Sequence, residues 1–323
     1  MSIVRGVGTT ENGSLQFGFA SSLLISLSLG PLLGLISGYA EILMEERFYK
    51  RISIRKLLTI RLGYSLLFVV ALTVIAYGVY QLYFGTEMGL IAFAFDEGSG
   101  AIYFYVIFVD LVMSAVSQVN LMLGENNLLK LLTGKFYTPR EEERVFMFLD
   151  LQSSTQLAEK LGHIEYSKLI QDCFNDLGVV VENEAEIYQY VGDEVILTWK
   201  AKYGLRNNNC LNAYFNFMGQ LTSRSDYYQS RYNCRPFFKA GVNIGIVTVT
   251  EVGRYKKEIA YHGDPINTAA RIQSKCNEFK KGMLISGYLK ERLASHEFSF
   301  ELLGSIALRG KSTDVDIYSV SEN

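Results

Sequence analysis

The chain has 323 residues, a formal net charge of −2 and 49 % hydrophobic residues. A near-neutral balance carries no electrostatic footprint for nucleic acid, so no nucleic-acid partner is expected. The length suits a membrane module joined to one domain of ordinary size.

Three stretches, about 15–40, 58–84 and 101–123, are apolar and long enough to cross a hydrocarbon core, which takes about 20 helical residues. The first outruns the apolar core of a cleavable signal and has only Arg5 near it, so it reads as a retained anchor. Arg47, Lys50, Arg51, Arg55 and Lys56 lie between spans one and two, whereas the loop from 85 to 100 holds Glu87, Asp96 and Glu97 and no Lys or Arg. The positive-inside rule places the first loop in the cytoplasm and the amino terminus outside. Everything after Leu123 is then cytoplasmic, and a multi-pass protein of the cell membrane, in contact with lipid, is expected.

Two features of the spans invite explanation. Gly18, Ser22, Ser26, Gly30, Gly34 and Gly38 recur every four residues and draw a ridge of small side chains that lets another helix approach closely. Asp110 lies near the middle of span three, where a charge costs about 2.5 to 3.5 kcal/mol. It must be protonated or paired, through a group such as Thr73 or Tyr64, and either senses something or ties helices together.

Residues 124–142 form a linker, and an alternation of strands and helices occupies 143–323. "ERVFMFLDLQSST" is a strand ending in an acid, followed by small hydroxyls that suit a helix start near Ser153. A second helix carries Leu169, Ile170, Cys173, Phe174, Leu177 and Val181 at helical spacing, a core stripe. "EIYQYVGDEVILTWK" reads as a tight hairpin turning at Gly192 and Asp193, and a polar helix is expected from about Leu205 to Tyr228. "FFKAGVNIGIVTVTEVG" supplies another strand pair turning near Gly253. "HGDPINTAARIQSKC" places Asp264 to cap a helix with Pro265 in its first turn. The remainder gives a strand, a short helix and a closing strand pair. The order predicts an α+β domain with a ferredoxin-like, palm-like core, its sheet antiparallel or mixed with helices on one face. Cys173, Cys210, Cys234 and Cys276 all fall in this half without CxxC spacing and read as reduced thiols.

Asp150 interrupts an apolar strand, and a buried charge needs a partner unless it merely faces water at the strand's end. Asp193 sits at the hairpin tip, which a βαββ unit brings beside the end of the first strand. Two carboxylates there suit Mg²⁺ and leave positions for phosphate and water, although Gly-Asp is also an ordinary turn pair. Asn267 and Arg271 are four apart and share one helix face, either a solvated face or one aimed at a phosphoryl group. Lys311, in "LRGKST", lies in a glycine-containing loop without P-loop spacing.

"FLDLQSST", "YVGDEV", "AYHGDPINTAARIQ" and "LRGKS", in that order, resemble the catalytic domain of the class III nucleotidyl cyclases across about residues 143–320. The resemblance implies two Mg²⁺ (or Mn²⁺) ions per site on Asp150, Asp193 and the Leu151 carbonyl. It implies that Asn267 orients the ribose, Arg271 stabilises the transition state and Lys311 grips the distal phosphates. It further implies a head-to-tail homodimer with sites shared between chains. The base-selecting positions hold Gln189 and Ala260, where adenylate cyclases often carry Lys and Asp and guanylate cyclases Glu and Cys. ATP is the expected substrate and cyclic AMP the product; a guanylate cyclase and a silent nucleotide-binding receptor are the alternatives. "VGDEV" is also similar to the diguanylate cyclase signature, against which the "NTAARI" helix argues.

Overall fold

The computed structural model describes residues 27, 30–31, 34–35, 38–39, 54–84, 89–124, 127–294, 297–306 and 314–323. The chain divides into two compact units, Met1–Val119 and Asn120–Asn323.

In the first unit, α1 (Ile54–Phe84) and α2 (Glu97–Leu123) are joined through a short helix, Leu90–Ala94. Within them Thr59–Val79 and Ser99–Leu123 are long and apolar enough to span a membrane, and only 17 % and 6 % of their apolar windows are buried, unlike the core helix of a soluble domain. The expected first span lies mostly outside the described residues; of its small-residue ridge, Gly30, Gly34 and Gly38 are described, and all three are helical. Asp110 is paired, but through different groups from those expected. Ser65 Oγ donates to Asp110 Oδ2 at 2.6 Å and Arg61 Nη2 stands 3.5 Å from Oδ1. Arg61 and Ser65 are one helical turn apart and so share the face that meets Asp110. Thr73, two turns further on, donates instead to the Tyr103 hydroxyl at 2.9 Å.

The second unit is built on one mixed sheet. Its strands are β1 (Arg140–Leu151), β2 (Glu186–Val191), β3 (Glu194–Lys200), β4 (Phe238–Val252), β5 (Glu258–His262), β6 (Met283–Ser286), β7 (Phe298–Ile306) and β8 (Val315–Glu322). They lie in the order β2-β3-β1-β4-β6-β8-β7, with β5 on β4. All pairs are antiparallel except β4 with β6. The first four strands, with α3 (Ser154–Asp176) after β1 and α4 (Asn209–Ser223) after β3, have the expected ferredoxin-like arrangement.

β1 is covered on both faces, which explains its continuous apolar run. Val145, Met147, Leu149 and Leu151 enter the main core with Leu169 and Cys173 of α3 and Leu211 and Phe217 of α4. Phe146 and Phe148 point the other way and meet Phe136, Val247, Tyr261 and Ala269. Ala269 belongs to α6 (Asp264–Ser274), so helices cover both faces of the sheet instead of one. Phe136 is 3 % exposed, and the expected linker therefore already contributes to the domain's packing at its end.

Two local expectations change and one holds. The polar helix expected over 205–228 is a short turn of helix, Ala201–Leu205, then α4 and α5 (Ser225–Tyr232). Asn207 and Asn208 break it with left-handed φ of 50° and 53°, and α4 buries Leu211, Tyr214, Phe217 and Leu221. The two helices expected after β1 are present, end to end in α3 and separated by the non-helical Gly162. Gly263, not Asp264, occupies the cap position of α6; Asp264 is its first residue, where its carboxylate accepts from the Thr268 hydroxyl.

Candidate active site

Side chains alternate along a strand, so Asp150 shares the α6 face with Phe146 and Phe148. Cross-strand register sets Glu194 of β3 opposite Asp150 on one side and Lys239 of β4 on the other. The result is a row, Glu194–Asp150–Lys239, at one end of the sheet, with Asp193 in the β2–β3 turn beside it. Gly192, with φ of 64°, makes that turn without the strain a Cβ would bring.

The acids crowd one another. Burial, then the charge of Asp193, pushes the Asp150 carboxyl above its ordinary range, while Lys239 and the Gln273 amide pull it back. Glu194 is pushed up to about 7 by burial and by Asp150 and Asp193. Tyr166 of α3 also senses Asp193: burial, then this charge, raises its phenol. Neither Glu194 nor Lys239 was singled out from the sequence. Glu194 had a signal available, an acid directly after the hairpin aspartate; Lys239 needed the register.

α6 is seated on the sheet by a close approach that only glycine permits. A Cβ on Gly241 of β4 would lie 2.1 Å from the Gln273 backbone nitrogen. This contact carries Gln273 toward Asp150 and leaves Asn267 exposed and Arg271 half-buried. Neither of those two side chains has a hydrogen-bond or ion-pair partner among the described residues. Asp150, Leu151 and Asp193 thus lie together at one end of the sheet, and Asn267 and Arg271 are carried on α6. Gln189 is exposed on β2 and Ala260 is on β5; their neighbours Tyr188 and Tyr261 pack edge to face with centroids 4.8 Å apart. Lys311 lies outside the described residues.

Among the described residues no group of three or more His, Cys, Asp and Glu side chains forms a metal cluster. The donor set fits a hard cation of the Mg²⁺ kind nonetheless, because such ions use one or two carboxylates and take their other ligands from water and phosphate. Asp150 and Asp193 supply two such carboxylates at one end of the sheet.

The sequence matches the family model described as the adenylate and guanylate cyclase catalytic domain over residues 136–322. The chain belongs to that family. It is similar to "Adenylate cyclase 2" of Rhizobium meliloti (strain 1021), with 31 % identity over 64 % of this chain and 57 % of the relative. It is also similar to "Adenylate cyclase 1" of the same organism, with 24 % identity over 65 % of this chain and 35 % of the relative. The chain therefore spans less than two thirds of the length of either relative. The crystal structure of the adenylyl cyclase CyaB from P. aeruginosa shares the fold of this cyclase domain, with a TM-score of 0.52, 19 % identity and coverage of 58 % of this chain and 97 % of that one.

Proposed function

We propose that this chain is a membrane-anchored adenylate cyclase that converts ATP to 3′,5′-cyclic AMP and pyrophosphate. The observation that carries the reading is the convergence of Asp150 and Asp193 at the end of a family-typical sheet, where the charge of Asp193 adds to burial in raising the Asp150 carboxyl and both acids raise Glu194. Asp150, Asp193 and the Leu151 carbonyl would hold Mg²⁺ or Mn²⁺, two ions per site. Bound there, they would lower the pKa of the ribose 3′-hydroxyl and neutralise the triphosphate.

In the reaction the 3′-oxygen bonds to the α-phosphorus, the bond to the bridging oxygen of the β-phosphate breaks, and pyrophosphate leaves with its electron pair. The 3′-proton passes to solvent. The Arg271 guanidinium meets charge building on the α-phosphoryl oxygens, Asn267 orients the ribose and Lys311 holds the distal phosphates. Asn267 and Arg271 lie on a helix face without hydrogen-bond or ion-pair partners among the described residues, which supports a homodimer whose sites take the acids from one chain and these two side chains from the other. The unburied apolar windows of α1 and α2 support anchoring in a membrane, with the catalytic domain on the cytoplasmic side.

ATP is preferred over GTP because both curated relatives named above are called adenylate cyclases. Gln189 has an amide that both donates and accepts, and so suits an adenine edge. The deciding experiment offers ATP and GTP separately, with Mg²⁺ or Mn²⁺, to the purified chain and to Asp193→Ala, and identifies the product. Cyclic AMP that vanishes in the variant is expected; cyclic GMP would overturn the substrate, and no cyclic product from a folded dimer would overturn the activity. Shared sites predict that mixing Asp150→Ala with Arg271→Ala restores part of the activity, and co-assembly without recovery would refute them.

A further inference from the structure

Glu194 and Lys239 flank Asp150 in the row and have no part in these roles, and Lys239 is the one of opposite charge. Lys239 opens the β4 pairing with Asp150, is 5 % exposed, and lies on the α6 face of the sheet. Its Nζ donates to Asn277 Oδ1 at 2.7 Å and stands 3.8 Å from Asp150 Oδ2. Lysine is rarely buried this far without a charge to meet. Asn277 is neutral, so the charges that compensate Lys239 are the nearby carboxylates. At 3.8 Å the ammonium is too distant to hydrogen-bond Asp150. It lends the site its field without capping the carboxylate oxygens.

That field acts on any cation approaching the same oxygens. Asp150 and Asp193 supply the negative charge, and Lys239 cancels part of it. We propose that Lys239 is a resident counter-cation that keeps Asp150 and Asp193 from holding a divalent cation firmly on their own, so that the metal is retained only together with the polyphosphate of the nucleotide. The inference rests on the reading of Asp150 and Asp193 as metal ligands. Lys239 acts through Asp150 and is a positioning residue. The nucleotide's phosphates restore the negative charge that Lys239 removes and add oxygen ligands, which is how Mg²⁺ sites of this type are completed. An idle site then binds little metal and a substrate-loaded one binds it well.

The test is Mn²⁺ titration of the 323-residue chain in detergent, followed by thermal melting, with and without 3′-deoxy-ATP, which lacks the attacking hydroxyl. For the unaltered chain the expected result is weak Mn²⁺ binding that the nucleotide tightens. Lys239→Met keeps the volume and removes the charge; Mn²⁺ alone is expected to bind on the order of tenfold tighter, with the nucleotide's contribution reduced by a similar factor. Asn277→Asp, at an exposed position, draws the ammonium away from Asp150. It is expected to tighten Mn²⁺ roughly threefold, and it decides the matter where Lys239→Met does not fold. A merely structural lysine would lower the melting temperature on replacement and leave Mn²⁺ affinity unchanged. Unchanged affinity in both variants overturns the proposal. Asp150→Ala separates the two layers. If it abolishes the Mn²⁺ response while the Lys239 and Asn277 variants match the unaltered chain, the counter-cation idea alone fails; if it leaves the response intact, the metal reading itself fails.

Discussion

Two aspartates in this chain interrupt apolar segments, and they are treated differently. Asp110, on α2, accepts from a hydroxyl of α1 at 2.6 Å and has a guanidinium 3.5 Å away that is itself 3 % exposed. Asp150, at the end of β1, has an ammonium at 3.8 Å that is committed to Asn277, and two further acids crowd it. The first carboxylate is satisfied and the second is left wanting a cation. A satisfied buried charge fixes how two helices register, whereas an under-compensated one at an open sheet end is a place for chemistry.

The sharpest way to break the contrast is to remove crowding at one site and compensation at the other. Asp193→Asn takes away one of the repelling charges. Its cyclase activity is expected to fall at least about 100-fold, the scale for losing one charge-stabilising group, while its melting temperature without divalent cations rises. Activity assays and thermal melting on one preparation check both signs; a variant that is inactive and also less stable would mean that Asp193 is structural.

Arg61→Leu does the reverse. It leaves Asp110 without its cation, and breaking a buried pair from one side costs about 3 to 5 kcal/mol. Denaturant unfolding in detergent should show that loss, and Arg61→Leu with Asp110→Leu should recover most of it. The Mn²⁺ response of the catalytic unit should not change. A loss of metal response with Arg61→Leu would mean that the two aspartates are coupled, against the division of labour drawn here.

The same pair shows what the sequence makes legible. The strand at 143–151 and the hairpin tip at Gly192 and Asp193 follow from local pattern, because an apolar strand-prone run and a turn dipeptide are written in adjacent residues, and the βα and ββ order gives the ferredoxin-like core. The meeting of Asp150 with Asp193 follows from that topology. Lys239 is 89 positions beyond Asp150 and reaches it only through the β1–β4 register, just as Gln273 reaches it only because Gly241 lets α6 settle on the sheet. Arg61, inside the expected second span, carries no local sign that it meets Asp110, since the rotation of α1 against α2 is a packing outcome. The expectation of helices on one face failed for a related reason: an unbroken apolar strand is covered on both faces, and its sequence does not say which helix covers which.

The smallest effect concerns the loop that leaves Asp150. Ser153 has φ 57° and ψ 32°, the left-handed region, while its carbonyl accepts from Leu157 to begin α3 and the neighbouring Gln152 nitrogen donates to Phe237 at 2.8 Å. Both bonds hold the loop in place, so the backbone strain is imposed by the ends and not by the serine. A left-handed non-glycine residue costs about 1 to 3 kcal/mol, and glycine at the same position gives back about 0.5 to 1 kcal/mol through its greater freedom in the unfolded chain. Ser153→Gly is therefore expected to stabilise the catalytic unit by about 1 kcal/mol with cyclase activity retained. If stability rises and activity falls together, the Ser153 hydroxyl serves the site directly, and the under-compensated end of β1 reaches one residue further than the acid row.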